Sequence, residues 1–246
     1  MMVAMESIHN LLGYDGLKII QSDQQQRFSI DALLLADFVS VPLKANKIIE
    51  LGCGNGPILL FLTLKTKVPL IGIELQIELC DLAIRSVALN RLEDQITIIN
   101  QDYKTLTEEN STDVVISNPP YFPYTAKSRV SNNPLLISAR HEIHATLEET
   151  IHKASQLLTH QGLLYMIHRS SRLEEIIRYT NEYQLKVRKL RFVYTKKNAP
   201  SPLVLIEAQK TSHQALEVLE PLFIYDESGD YSLEAKKIFH FKEKPI

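Results

Sequence analysis

The sequence predicts an α/β fold built on a doubly wound, mostly parallel sheet with helices on both faces, in three layers. Short apolar runs alternate with segments of helical periodicity along the 246 residues, the pattern of parallel strands joined by crossover helices. Two late strand-like segments, 187–195 and 202–210, have no helix between them, so one of them must run antiparallel.

The elements of the first half are predicted from apolar spacing and start signals. Apolar side chains recur at helical spacing after Ser29 or Asp31, which indicates a helix. Pro57 falls in the first turn of another helix, where its missing N–H is tolerated. The predicted elements are strand 15–22, helix 29–41, an apolar strand ending in a glycine turn at 46–57, helix 56–66, strand 68–76 and helix 76–90.

The second half continues the alternation, apart from one irregular stretch. Residues 121–145 have no clear period, and a loop this long inside a compact domain is typically functional or mobile. Gly162 is expected to close the helix before it. The predicted elements are strands 96–102 and 112–118, helix 146–162, strand 163–169, helix 171–183, the strand pair 187–195 and 202–210, and a turn with a short helix in 225–246.

Composition predicts one domain that works inside the cell. Apolar residues make up 45% and charged residues 23%, and the net charge of −2 provides no overall attraction to nucleic acid. Cys53 and Cys80 do not form a secretory pattern, and no signal peptide or 18-residue apolar run occurs. We expect a cytoplasmic protein without a membrane partner; its oligomeric state stays open. The single domain 1–246 divides into an extension (1–45), a catalytic core (46–210) and a tail (211–246).

A glycine turn after the first core strand predicts a ligand site. Gly52, Gly54 and Gly56 allow tight turning and close backbone approach at the carboxyl end of that strand. Their spacing is G-x-G-x-G, whereas dinucleotide-binding turns use G-x-G-x-x-G. Pro57 occupies the position of the third glycine in that pattern, which weakens the dinucleotide interpretation.

Acidic residues end the next two strands at the same predicted edge. Glu74 ends the second strand, about 20 residues after the glycines, where a carboxylate accepts hydrogen bonds from ribose hydroxyls. Asp102 ends the third strand and could accept from an adenine amino group. An ordinary loop-capping role for Asp102 remains open. Together with the glycine turn, these residues predict nucleoside binding.

The segment Asn118-Pro119-Pro120-Tyr121 ends the fourth strand and predicts transfer of a methyl group to a planar amine. The lone pair of such a nitrogen is delocalised, so it reacts only when it is positioned and polarised. The Asn118 side-chain oxygen and the Pro119 carbonyl could each accept one N–H of that amine. Pro119 and Pro120 fix the backbone, and Tyr121 offers a flat face for stacking.

These motifs, "ELGCGNG", "GIEL" and "NPPY" in this order, resemble the class I S-adenosylmethionine-dependent N-methyltransferases. Segments 15–38 and 138–162 are similar to the bacterial tRNA(Val) adenine-N6-methyltransferase group. The resemblance implies a Rossmann-like, seven-stranded sheet, S-adenosylmethionine as cofactor, tRNA as partner and adenine 37 beside the anticodon as target. It further implies that Glu50, Gly52, Gly54 and Gly56 border the methionine part of the cofactor, Glu74 holds the ribose, Asp102 holds the adenine, and Phe28 covers the site.

Three other functions share parts of this pattern. Methylation of a protein glutamine uses the same amide chemistry, but such enzymes carry a helical N-terminal domain, and only about 45 residues precede the first core strand. Methylation of DNA adenine would call for a recognition domain that the sequence does not show. A binder without turnover would not need Asn118 and Tyr121.

Two further features bear on partners. Segment 186–198 carries six basic residues and no acidic one, which suits RNA, although an ordinary exposed strand pair explains it equally well. Lys127, Arg129 and Arg140 predict a loop that receives RNA and is mobile without it. His141 and His144 lack the zinc-binding pattern H-E-x-x-H, so we expect no metal.

Overall fold

The structure, a computed structural model, describes residues 5–11, 14–23, 29–121 and 145–240. The strands are β1 (Glu6–Leu11), β2 (Tyr14–Ser22), β3 (Ile48–Leu51), β4 (Leu70–Glu74), β5 (Ile96–Asn100), β6 (Thr112–Ser117), β7 (Leu158–Arg169), β8 (Leu185–Tyr194), β9 (Leu203–Lys210), β10 (Glu217–Val218) and β11 (Leu222–Phe223). The helices are α1 (Ile30–Phe38), α2 (Pro57–Leu62), α3 (Ile77–Leu89), α4 (Leu147–Leu157), α5 (Leu173–Glu182) and α6 (Leu233–Ile238).

One sheet of nine strands carries the described part of the domain. Its order is β10-β8-β9-β7-β6-β3-β4-β5, with β11 also paired to β8. Strand β9 runs antiparallel to both neighbours, whereas the remaining pairs in this sheet are parallel. The doubly wound, mostly parallel sheet with one antiparallel strand is therefore confirmed. The predicted seven strands correspond to β3–β9, and the two-residue strands β10 and β11 add to the β8 edge.

Two hydrophobic clusters, one on each face of the sheet, make the three layers. One cluster takes buried side chains from α1, α2 and α6, together with Val87 of α3. The other takes those of α4 and α5. Because β3 and β6 are covered on both faces, nearly all of their residues are buried, and Val114, Val115 and Ile116 form a short continuous apolar run in β6, as is typical of buried parallel strands. Within the described residues, no helix is long and apolar enough to cross a membrane.

Two element boundaries differ from the sequence-based expectation. The helix predicted over 146–162 ends at Leu157, and Gly162 lies inside β7. A Cβ at Gly162 would come within 2.9 Å of the Leu158 side chain and 3.2 Å of the Asp113 carbonyl oxygen. The glycine therefore allows close approach where the β6–β7 register shifts. The helix predicted over 56–66 is also shorter, at Pro57–Leu62.

A separate two-stranded hairpin, β1 with β2, was only half predicted, since β1 lacked a clear apolar alternation. Side chains of the core hold its β2 edge. The Lys18 N–H donates to Asn90 Oδ1 at 2.9 Å, and the Ile20 N–H donates to Ser86 Oγ at 3.0 Å. Asn55 Nδ2 donates to the Ile20 carbonyl at 3.0 Å. Because Asn55 belongs to the glycine turn, the N-terminal extension is tied directly to the predicted ligand site.

The C-terminal segment packs onto the core through α6. Phe239, directly after this helix, is only 1% exposed and belongs to the same cluster as α1. Arg191 of β8 forms an ion pair with Glu234 of α6. The tail thus covers the outer end of the sheet, and its apolar side chains contribute to the same core as the N-terminal helices.

A buried polar contact joins the segment that follows α1 to two strands of the sheet. The Tyr165 hydroxyl oxygen of β7 lies 2.9 Å from both the Ser40 carbonyl oxygen and Glu207 Oε2 of β9. Tyr165 is fully buried and Glu207 is 4% exposed. Burial and then the Glu207 carboxylate raise the pKa of Tyr165, so the hydroxyl remains a donor.

Tyr165→Phe should lower the free energy of unfolding by about 1–3 kcal/mol, because the buried hydroxyl between Glu207 and Ser40 is removed and one of these two acceptors loses its donor. Urea unfolding followed by circular dichroism measures this loss. The matched control is Tyr194→Phe, at a half-buried tyrosine of β8 whose hydroxyl makes neither of these contacts, and it should change stability less. A Tyr165→Phe protein as stable as the wild type would contradict the assignment.

Candidate active site

The strand register gathers the predicted site residues at one edge of the sheet. Leu51, the last residue of β3, pairs with Ile73 of β4 on one side and with Ser117 of β6 on the other. The glycine turn, Glu74 and Asn118 therefore follow three adjacent strand ends. Open α/β sheets bind ligands at this carboxyl edge.

The glycine turn is built on left-handed backbone. Gly52, Gly54 and Gly56 have φ values of +72°, +56° and +85°, which other L-residues adopt at a cost. A Cβ placed on Gly52 or Gly54 would meet no atom of the described residues within 4 Å. The turn consequently has open space beside its backbone, where a ligand can approach closely.

Glu74 holds the glycine turn from the neighbouring strand. Its Oε2 accepts the Gly54 N–H at 2.9 Å, and its Oε1 accepts the Gln76 N–H at 2.8 Å. The carboxylate is 6% exposed, so these charge-assisted bonds form away from bulk water. Glu74 thus has a structural role in addition to the predicted contact with a ribose.

Glu50 is a buried acid within the same group of residues. It is 1% exposed, and its Oε2 has no hydrogen-bond partner within the part of the chain that the structure describes. Burial, and then the nearby Glu74 carboxylate, raise the pKa of Glu50 well above its usual value. A buried acceptor without a donor is costly, so this position is suited to a cationic or hydrogen-bond-donating ligand group.

Asp102 adopts the capping role that the sequence left open. Its Oδ1 accepts the Lys104 N–H at 2.9 Å and caps the short 3₁₀ turn Tyr103–Thr105. The Lys104 ammonium lies 3.8 Å from Oδ2. Asp102 still stands at the carboxyl edge, two residues beyond β5, so its predicted contact with an adenine stays a prediction.

The segment Asn118–Tyr121 leaves β6 at the centre of this edge. The Tyr121 hydroxyl oxygen lies 2.6 Å from Asp31 Oδ2 and 3.0 Å from Asn118 Oδ1. Burial and then Asp31 raise the pKa of Tyr121 well above its usual value. The phenol therefore stays protonated and connects the first turn of α1 to the end of β6.

The Tyr121 ring is packed by residues at the end of the adjacent strand β7. His168 meets it edge to face with ring centroids 5.4 Å apart, and the Arg169 guanidinium carbon lies 5.6 Å from the ring centroid. His168 is fully buried, and burial lowers its pKa to about 4, so it is neutral at physiological pH. These neighbours limit how much of the Tyr121 ring a substrate can cover.

Sequence reasoning missed Asp31, His168 and Arg169 as members of this site. His168 and Arg169 end the strand next to β6, so the rule that ligands bind at carboxyl edges could have indicated them. Asp31 served only as a helix start signal, and no spacing relates it to Tyr121, which lies 90 residues further on.

Several expectations fall on residues outside the described ranges. These are Phe28, the loop residues Lys127, Arg129 and Arg140, and the histidines His141 and His144. Among the described residues, no three His, Cys, Asp or Glu side chains converge as a group that could hold a metal ion. His160, expected on a helix, lies on β7 beside Thr211.

The basic segment 186–198 has internal partners for several of its charges. Lys189 lies 3.4 Å from Glu207, and Lys197 lies 3.1 Å from Glu227. Arg191 pairs with Glu234, and Arg188 donates to the Gln209 side chain. These contacts support the ordinary strand-pair explanation over an RNA-binding strand.

The comparisons with known proteins agree with this geometry. The family model described as methyltransferase small domain matches residues 25–193. A tRNA1(Val) (adenine(37)-N6)-methyltransferase of Photobacterium profundum is 25% identical over 212 residues, covering 84% of this chain and 86% of the relative. One of the same description from Porphyromonas gingivalis is 26% identical over 239 residues, covering 92% and 91%.

Solved structures show the same fold at low sequence identity. A predicted O-methyltransferase, Atu636 of Agrobacterium tumefaciens, superposes with a TM-score of 0.68 at 20% identity, covering 85% of this chain and 95% of that one. Pyrococcus horikoshii TYW2 in complex with MeSAdo gives 0.60 at 18% identity, covering 84% and 72%. At these identities the likeness extends to the fold alone.

The residues present fit S-adenosylmethionine, which is the cofactor of this protein. The unpartnered oxygen of Glu50 is an acceptor in a buried place, and an ammonium group is a donor of the required charge. The open side of Gly52 and Gly54 leaves room at the turn. A carboxylate accepts about four hydrogen bonds, so Glu74 can support the turn and bind hydroxyls.

Glu50→Gln should stabilise the ligand-free protein at neutral pH, because an uncharged carboxamide replaces a carboxyl group whose ionisation is opposed first by burial and then by Glu74. The folded-state pKa lies above the usual 4.5, so the stability contribution of Glu50 is complete below that value and falls as the pH rises. The substitution removes that loss.

Thermal unfolding across the acid-to-neutral range measures the effect, and Glu78→Gln, at an exposed carboxylate of α3, is the control. A Glu50→Gln protein no more stable than the wild type at neutral pH would contradict the assignment.

Proposed function

Because the chain belongs to the methyltransferase small domain family and is an S-adenosylmethionine-dependent N-methyltransferase, we propose that its target is the N6 amino group of adenine in tRNA. The proposed position is adenine 37, beside the anticodon. The single observation that carries this proposal is the placement of Asn118 and Tyr121 at the end of β6, beside the glycine turn of β3. Methyl donor and planar amine would thus meet at adjacent strand ends.

The chain's own residues supply positioning and polarity. S-Adenosylmethionine provides an electrophilic methyl group on a sulfonium. The Asn118 carboxamide oxygen accepts one N–H of the adenine amino group, and the Pro119 carbonyl accepts the other. These two acceptors draw the hydrogens out of the ring plane and concentrate the nitrogen lone pair, which costs little reorganisation because the acceptors are preorganised. Pro119 and Pro120 restrict the backbone that presents them.

The remaining predicted residues hold the cofactor. Glu50 would accept from the ammonium of its methionine part, beside Gly52, Gly54 and Gly56. Glu74 would bind the ribose hydroxyls, and Asp102 would bind the adenine while capping its own turn. Phe28 would cover the cofactor. These roles follow the strand ends in order across β3, β4 and β5.

The substrate assignment is supported by relatives as well as by chemistry. The two relatives above are both described as tRNA1(Val) (adenine(37)-N6)-methyltransferases, and each aligns with more than four fifths of this chain. An adenine within tRNA must leave its stack to reach a buried strand end, and the Tyr121 ring lies at that point. A tRNA substrate also implies action in the cytoplasm.

Purified protein incubated with unmodified tRNA and isotope-labelled S-adenosylmethionine should yield labelled N6-methyladenosine in nucleoside mass spectrometry. Digestion with a sequence-specific ribonuclease should locate the label next to the anticodon. Label recovered instead in a protein glutamine would favour the protein substrate. Cofactor binding without any transfer to tRNA, DNA or protein would favour a binder without turnover.

Asn118→Ala should reduce methyl transfer at least about 100-fold, in the range seen when one preorganised polar group is removed. Its affinity for S-adenosylmethionine should stay nearly unchanged, because its partners are on the substrate. Initial rates and calorimetric titration separate the two effects. Asn181→Ala, at an exposed asparagine of α5, is the control and should keep full activity.

Cofactor binding should release a proton from Glu50. The pKa of Glu50 is raised in the free protein, and a bound ammonium favours the carboxylate, so affinity should rise with pH up to the raised pKa. Titration calorimetry in buffers of different ionisation enthalpy counts the proton. In Glu50→Gln that proton should disappear, and an unchanged proton count would exclude Glu50 as its source.

A further inference from the structure

A three-membered polar chain crosses the site from α1 to the end of β6. The Tyr121 hydroxyl oxygen stands between Asp31 Oδ2, at 2.6 Å, and the terminal carboxamide atom of Asn118, at 3.0 Å. Asp31 occupies the first turn of α1. The hydroxyl therefore has two neighbours that both accept hydrogen bonds in this arrangement.

A phenol has one proton, so only one of these neighbours receives it. The Asp31 contact is the shorter, and a carboxylate is the stronger acceptor of the two. Burial and the Asp31 carboxylate also raise the pKa of Tyr121, which keeps the proton on the phenol. The proton consequently lies on the Asp31 side of the hydroxyl oxygen.

The contact with Asn118 then requires a donor from the carboxamide. Two oxygens 3.0 Å apart without a hydrogen between them would repel each other. A half-turn of the carboxamide exchanges its oxygen and nitrogen with almost no change in shape. The NH₂ group can then donate to the Tyr121 oxygen, and the carboxamide oxygen faces the other way.

We propose that Asp31 is a positioning residue that, through Tyr121, turns the Asn118 carboxamide so that its oxygen faces the substrate amine. This inference rests on the proposed function, because an amine substrate needs an acceptor at that place. With the opposite orientation, Asn118 would present N–H groups to the N–H groups of the substrate. Asp31 thus determines whether Asn118 presents a hydrogen-bond acceptor or hydrogen-bond donors to the substrate amine.

Three substitutions should affect the orientation of the Asn118 carboxamide in different ways. In Asp31→Ala the Tyr121 hydroxyl is free to donate to the Asn118 oxygen and to hold it away from the substrate. In Asp31→Asn a side-chain oxygen remains to accept the proton. In Tyr121→Phe the competing hydroxyl is absent, and Asn118 can turn in either direction.

The rate of methyl transfer at saturating substrates tests the inference. Asp31→Ala should lower kcat about 10- to 100-fold, as expected for a misdirected polar group, with little change in the cofactor Kd or in the KM for tRNA. Asp31→Asn should stay within a few-fold of the wild type. The double variant Asp31→Ala/Tyr121→Phe should recover to the level of Tyr121→Phe alone. Asp37→Asn, at the other end of α1, is the control.

Three outcomes would overturn the inference: an unchanged kcat in Asp31→Ala, a loss in the double variant equal to the product of the single losses, or a loss confined to cofactor affinity. The assay of the wild-type protein on tRNA distinguishes failure of this inference from failure of the proposed function. If the wild type forms N6-methyladenosine and Asp31→Ala matches it, the function stands and the inference fails.

A second measurement needs no substrate. In protein labelled with ¹⁵N, one side-chain amide proton of Asn118 should exchange slowly in the wild type and in Asp31→Asn, because it donates to Tyr121. The protection should be lost in Asp31→Ala and in Tyr121→Phe. Equal exchange in all four proteins would overturn the inference even if tRNA is not the substrate. Thermal unfolding of each variant checks that the fold is retained.

Discussion

The parallel pairing of β3 between β4 and β6 is the constraint on which the site depends. Because the three strands run in the same direction and in register, their last residues are neighbours, and the loops that follow must share one small volume. The glycine turn, Glu74 and Asn118 come from separate parts of the sequence and meet only through this hydrogen-bond ladder. The two hydrophobic clusters pack against both faces of this ladder, so the strand ends form a rigid support for the site.

The strand ends also bring two buried carboxyl groups close together. Glu50 and Glu74 lie together at the strand ends with little access to water, and the Glu74 carboxylate adds to the cost that burial imposes on ionising Glu50. Glu74 accepts the backbone N–H groups of Gly54 in the turn and of Gln76 after β4, whereas Glu50 has an oxygen without a described partner. A site built to receive a cationic cofactor is thereby less stable when it is empty, and the cofactor should contribute to the stability of the folded protein.

The N-terminal extension is joined to this support by polar contacts at two points. Asn55 of the glycine turn holds the Ile20 carbonyl of β2, and Asp31 of α1 meets Tyr121 at the end of β6. One contact reaches the side proposed for the cofactor and the other the side proposed for the substrate. The extension therefore links the two halves of the site, and changes in it would act on both.

The sequence by itself determined the alternation of strands and helices, the glycine turn and the acidic and amide residues at strand ends, because these depend on local periodicity and on backbone requirements of single residues. It misplaced the end of α4, since Gly162 serves close packing against Asp113 and Leu158 rather than a helix terminus. It left the local capping role of Asp102 open, and it could not show the Asp31–Tyr121 contact or the pairing of the basic strand with Glu207 and Glu234. Only the tertiary structure decided these, because hydrogen bonds and ion pairs between distant segments depend on distances that no sequence period encodes.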